Sequence, residues 1–172
     1  GESVAFALQE IPLGTGHAVI QAEPFLFQRQ GATVVMAADT PLVRSETISE
    51  LLRSFELGGW GALVLTAKID DPAGYGRIVR NKDGELIAIV EEQESDETTK
   101  EITEVNSGIY CFDTELLYQA MSRIEEREEL DFGRFPLTDV IDILSRQGVR
   151  VGTQSIDPFE FFKVNSRRDL SI

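Results

Sequence analysis

One cysteine, one histidine and a shortage of basic residues mark this chain of 172 residues. Cys111 alone cannot form an intrachain disulfide, which fits a reducing compartment. His17 has no second histidine with which to share a metal, and no acidic residues stand around it at ligand spacing. Lys and Arg number 16 against 30 Asp and Glu, for a formal net charge of −14. That balance argues against nucleic acid as a partner, because a phosphate backbone needs clustered cations. It leaves room for a small phosphorylated ligand held with Mg²⁺. No apolar run approaches the ~18 residues of a membrane span, and Gly1-Glu2-Ser3 does not open like a signal peptide. The expectation is a cytoplasmic protein with no membrane partner. No nucleophile, base and acid stand in an order that suggests covalent catalysis.

What is present is a globular composition, 42% apolar and 27% charged, over a length suited to one sizeable core. The first third alternates strand and helix patterns. Ser3 to Gln9 reads as a strand and His17 to Phe27 as a helix. Ala32 to Ala38 is a β-branched apolar run of the kind covered on both faces. Thr47 to Leu57 is a helix with Leu51, Leu52 and Phe55 on one side and Ser45 as its N-cap, and Gly61 to Ile69 is a buried strand. This order predicts βαβ units and a mainly parallel sheet. Antiparallel pieces come next. Asp83-Gly84 marks a hairpin between Arg77–Arg80 and Glu85–Val90, and an acidic surface stretch runs from Glu91 to Glu104. Val105 to Phe112 is a strand and Thr114 to Ile124 a helix. Pro136 opens another helix through Ser145, Val149 to Ser155 is a strand, and Pro158 to Phe162 is a helical turn. Asn165 has the form of an N-cap for a last helix. The class is a mixed-sheet α/β fold, expected as one domain over residues 1–172.

Several polar positions fall at strand ends, where ligands of such sheets collect. In Leu13-Gly14-Thr15-Gly16-His17 the glycines permit close approach of a ligand, and the helix start favours an anion; an ordinary tight turn is the alternative. Asp39 ends an apolar strand, so its carboxylate is a hard oxygen donor of the kind Mg²⁺ takes, or else a turn aspartate before Thr40-Pro41. Gly74-Tyr75-Gly76-Arg77 permits a second close approach, or merely enters the hairpin. Glu91 and Asn106, taken singly, are an acid and a polar strand residue. Cys111 reads as a small buried apolar side chain.

In order along the chain stand LQEIPLGTGHAV, VVMAADTPLV, DDPAGYGRIVR, AIVEE, TEVNSGIYCFD, FPLTDVI and FKVNSRRDL. Together they resemble the uridyltransferase domain of bacterial bifunctional N-acetylglucosamine-1-phosphate uridyltransferase/glucosamine-1-phosphate acetyltransferase. The resemblance implies a Rossmann-like nucleotidyltransferase fold, a mixed sheet with helices on both faces. It also implies a reaction in which UTP and N-acetylglucosamine 1-phosphate give UDP-N-acetylglucosamine and pyrophosphate. By the same correspondence Gln9 would bond the uracil, and Gly14 and Thr15 would line the nucleotide pocket. Asp39 and Asn165 would bind Mg²⁺, while Gly76, Glu91 and Asn106 would hold the N-acetylglucosamine.

The chain departs from the family at several points. The family's first βα unit carries L-A-A-G-x-G-T-R-M and then a lysine, which cradle the triphosphate; nothing in the chain matches them. Ala38 stands where glycine is usual before the metal aspartate, and Gln93 stands in place of a lysine. Phe132-Gly133-Arg134-Phe135-Pro136 replaces Q-G-E-Y-Y. The chain on its own is therefore expected to transfer little uridylyl. A missing central strand would leave sheet edges open, so self-association into a homo-oligomer is expected. Two other readings remain at this level: a nucleotidyltransferase for another sugar phosphate, such as a thymidylyltransferase, or a non-catalytic nucleotide-sugar-binding or assembly module.

Overall fold

A computed structural model describes residues 4–26, 29–125 and 135–161. Residues 4–9, expected as a strand, are irregular, because no described strand pairs with them. Val4, Phe6 and Leu8 stand 76–88% exposed. The single helix expected next is two short ones, α1 (Thr15–Ile20) and α2 (Glu23–Leu26). Pro24 has no N–H to carry a continuous ladder, and Ala22 and Phe25 donate instead to the carbonyls three residues back.

β1 (Ala32–Val35) is shorter and less covered than its apolar run suggested. Thr40 Oγ1 donates to the Ala37 carbonyl at 2.8 Å, turning the chain soon after the strand. α3 (Ser45–Gly58) buries Thr47, Leu51 and Phe55. Ser45 is not its cap. Arg44 takes that position without a side-chain bond, and the Glu160 carboxylate accepts from Arg44 N and Thr47 Oγ1. An anion at this end is favoured by the helix dipole, and it ties the 3₁₀ turn Pro158–Phe161 to α3.

β2 (Ala62–Lys68), β3 (Arg77–Arg80) and β4 (Leu86–Val90) form as the patterns predicted, with β3 and β4 joined through Asp83-Gly84. A 3₁₀ turn (Glu92–Glu94) and α4 (Glu97–Lys100) occupy the acidic stretch. β5 (Glu104–Asp113) leads into α5 (Thr114–Glu125). α6 (Thr138–Arg146) begins later than Pro136 suggested, since Leu137 N donates to Thr15 Oγ1 at 3.0 Å rather than opening the helix. β6 (Val151–Ser155) is the last strand. Asn165 and the helix expected after it lie outside the described residues.

The strands form one six-stranded sheet in the order β4-β3-β5-β2-β6, with β1 also on β5. The expected mainly parallel sheet is not observed: among the described residues only β2 and β6 run parallel. β5 is the reason, because it runs opposite to β1, β2 and β3 at once. The sheet is apolar on both faces. β2 sends Ala62 and Val64 to a core closed by α5 and α6, and Leu63, Leu65 and Ala67 to one closed by α3. Cys111 lies in the second, with burial pushing its thiol up to about 12, so it behaves as an apolar filler.

A bulge interrupts β5 near its middle. Val64 pairs with Tyr110 and Thr66 with Asn106, so two steps on β2 face four on β5. The extra length turns at Gly108, whose φ of +79° lies in the left-handed region that favours glycine. Side chains replace the lost ladder bonds: Gly108 N donates to Asn106 Oδ1 and Ile109 N to Ser107 Oγ, both at 3.0 Å.

Candidate functional site

β1 and β3 share one edge of β5, β3 at its start and β1 at its end. Between them lies the bulge, and there the sheet opens into a cavity of about 600 Å³. Thr15 and Val19 of α1 wall one side, the 74–76 loop and Glu91 another, and Asn106, Gly108 and Tyr110 the floor. Leu137 and Thr138 at the start of α6 complete it.

Four of the expected site residues, Thr15, Gly76, Glu91 and Asn106, therefore line one cavity. Gly76 is the hinge of the group. A Cβ there would lie 3.5 Å from Glu91 Oε2 and 3.7 Å from Asn106 Cβ, filling the space between them. Asn106 N donates to the Gly76 carbonyl at 2.9 Å, fixing the loop to β5. Arg77 holds the loop from the inside. It is 2% exposed, its Nη2 lies 2.7 Å from Glu92 Oε2, and its Nη1 donates to the Tyr75 carbonyl. Glu92 Oε2 in turn accepts from Gly74 N at 3.3 Å. Glu91 Oε1 accepts from Thr138 Oγ1 at 3.2 Å, which leaves Oε2 on the Gly76 side.

Gln9 and Gly14 are placed differently. Neither lines the cavity. Gln9 Nε2 donates to the Gly14 carbonyl at 3.1 Å and lies 2.9 Å from His17 Nδ1, so both belong to the outer turn behind α1. The close approach that Gly14 allows in this structure is to the protein's own backbone. A Cβ on Gly14 would stand 2.6 Å from the Phe135 carbonyl oxygen. At the α1 start Gly16 N donates to that carbonyl at 2.9 Å. His17 is held between Gln9 and Gln21, and no group of three or more potential metal-ligating His, Cys, Asp or Glu occurs among the described residues.

Asp39 is not among the residues that line the cavity, although Ala37, two residues before it, is. Its Oδ1 is buried and has no hydrogen-bond partner among the described residues. Its charge reaches Tyr75, whose pKa is raised by burial first and by Asp39 second. A buried, unspent carboxylate oxygen fits a hard divalent cation. Asn165 lies outside the described residues. Sequence reasoning missed Tyr110 and Thr138 as site residues. Thr138 stands within the motif FPLTDVI and Tyr110 within TEVNSGIYCFD, but nothing in either motif shows that these side chains reach the cavity.

A mixed sheet with helices on both faces, opening into one cavity at the β5 bulge, has the architecture of a Rossmann-like nucleotidyltransferase fold. The family model described as Nucleotidyl transferase matches residues 1–150, and the chain belongs to that family. It is 44% identical over 168 residues to the bifunctional protein GlmU of Geobacillus thermodenitrificans, covering 97% of this chain and 36% of that protein. To the bifunctional protein GlmU of Halalkalibacterium halodurans it is 48% identical over 151 residues, 88% of this chain and 33% of that one. The chain thus spans about a third of the length of these relatives. Among solved structures it is similar to a putative glucose-1-phosphate thymidylyltransferase from Bacillus anthracis in complex with a sucrose. That likeness has a TM-score of 0.67 and 24% identity, over 87% of this chain and 55% of that one, and is a likeness of fold. No described helix is long and apolar enough to cross a membrane.

Proposed function

We propose that the protein serves the transfer of a uridylyl group from UTP to N-acetylglucosamine 1-phosphate, giving UDP-N-acetylglucosamine and pyrophosphate. The observation that carries this reading is the convergence of Gly76, Glu91 and Asn106, from three separate segments, on one cavity.

In the reaction a phosphate oxygen of the sugar phosphate bonds to the α-phosphorus of UTP, and the bond from that phosphorus to pyrophosphate breaks in line. The protein's part is alignment rather than covalent chemistry. Glu91 accepts hydrogen bonds from sugar hydroxyls, the Gly76 amide donates to the sugar, and the Asn106 amide pairs with a polar group on it. Thr15 borders the nucleotide side. Asp39, with Asn165, would hold Mg²⁺, which when bound offsets negative charge on the phosphate oxygens. The two small-molecule substrates are the partners in this reading.

Calorimetric titration with UDP-N-acetylglucosamine tests this reading. Binding is expected to strengthen with added Mg²⁺ and to exceed binding of UDP-glucose by about tenfold, the worth of one or two hydrogen bonds to the acetamido group. Asp39→Asn is expected to abolish the Mg²⁺ dependence. Equal affinity for the two nucleotide sugars, or binding to neither, contradicts the proposal.

A further inference from the structure

Asn106 and Tyr110 are four residues apart on one strand, a separation of about 13 Å in regular β structure. The bulge folds them together. Asn106 Nδ2 donates to the Tyr110 hydroxyl at 2.6 Å, in a bond buried from solvent. Asn106 is 9% and Tyr110 4% exposed, and both line the cavity.

A side-chain amide has two unlike ends, and reversing it exchanges a donor for an acceptor. Gly108 decides the orientation here, because a hydroxyl can meet either end of an amide while a backbone N–H can meet only its oxygen. Gly108 N, a donor only, faces Oδ1 at 3.0 Å, and the Tyr110 oxygen accepts from Nδ2. Reversal would set the amide NH₂ against the Gly108 N–H, donor against donor. We propose that Tyr110 is a positioning residue of the sugar subsite, its hydroxyl anchoring the Asn106 amide in the pose that the Gly108 N–H orients. The inference rests on the sugar-binding reading of this cavity.

The pair is built to persist. The Tyr110 ring stacks on Phe112 with centroids 5.6 Å apart, so the hydroxyl is held by packing as well as by its partner. Burial, more than the nearby Glu91 charge, raises the phenol's pKa and keeps it protonated. Its oxygen therefore remains a neutral acceptor for the Asn106 amide.

The test compares Tyr110→Phe with Tyr118→Phe, Asn106→Ala and the Tyr110→Phe/Asn106→Ala pair, titrating each with N-acetylglucosamine 1-phosphate and with UTP. Phenylalanine keeps the stacked ring, so the fold is retained, and UTP affinity reports that it is. Tyr110→Phe is expected to weaken the sugar phosphate about tenfold and to leave UTP within about twofold. Tyr118→Phe, which removes a buried phenol from the same core, is expected to change neither. In the Asn106→Ala background Tyr110→Phe is expected to cost nothing more, because it acts through the amide. A sugar loss below about twofold, an equal loss for UTP, or an undiminished further loss in the Asn106→Ala background overturns the positioning role and leaves the sugar-binding reading standing. Failure of the unaltered protein to bind N-acetylglucosamine 1-phosphate removes both.

Discussion

Glu91→Ala is expected to weaken binding of N-acetylglucosamine 1-phosphate about a hundredfold while UTP affinity stays within about twofold. A hydrogen bond to a charged acceptor contributes about 1.5–3 kcal/mol, and losing one or two of them gives that factor. Position supports the magnitude. Thr138 occupies one carboxylate oxygen, and the other stands beside the gap left by the missing side chain of Gly76. Glu91→Gln keeps an acceptor of the same shape without the charge, and the expected loss is smaller, about tenfold. Calorimetric titration of the three proteins with each ligand decides the point. Parallel weakening of UTP would show that Glu91 supports the fold of the cavity rather than the sugar.

Gly14→Ala is expected to destabilise the protein by about 3 kcal/mol, read as a lower midpoint in urea with little change in slope. Gly14 has φ 115° and ψ 177°, a region open in practice only to glycine. The added methyl would also meet the Phe135 carbonyl carbon and oxygen at 2.9 and 2.6 Å, and backbone cannot swing aside as a side chain can. Three bonds zip the two segments together there: Phe135 N to Leu13 O, Gly16 N to Phe135 O, and Leu137 N to Thr15 Oγ1. These bonds seat α1 against the start of α6, and both form cavity wall. The same substitution should therefore loosen ligand binding. A loss of stability below about 0.5 kcal/mol would mean that the turn has room the geometry denies it.

Most elements after β1 are legible in the sequence because their patterns are local. The hairpin at Asp83-Gly84 and the apolar face of α3 each need only a short window of sequence. The failures are non-local. Residues 4–9 form an apolar stretch with the look of a strand, but a strand needs a neighbour, and no described strand pairs with them. The apolar run at β1 gives no sign that it pairs antiparallel with β5, some eighty residues away. Gly14 and Gly16 are sites of close approach, as their spacing suggests, and nothing in the sequence shows that Phe135, far along the chain, is what packs there. For the site, the order of motifs alone points to Gly76, Glu91 and Asn106. Tyr110 stays hidden because only the bulge at Gly108 brings its hydroxyl to Asn106.

Amide NMR of the ¹⁵N-labelled protein, titrated with UDP-N-acetylglucosamine and Mg²⁺, tests most directly whether the cavity at the β5 bulge receives the sugar. The expected result is that the largest shift changes fall on Gly76, Glu91, Asn106, Gly108 and Thr138. Changes concentrated instead on Glu23, Tyr118 and Ser122, which line a smaller hollow of about 370 Å³ between α2 and α5, would contradict it.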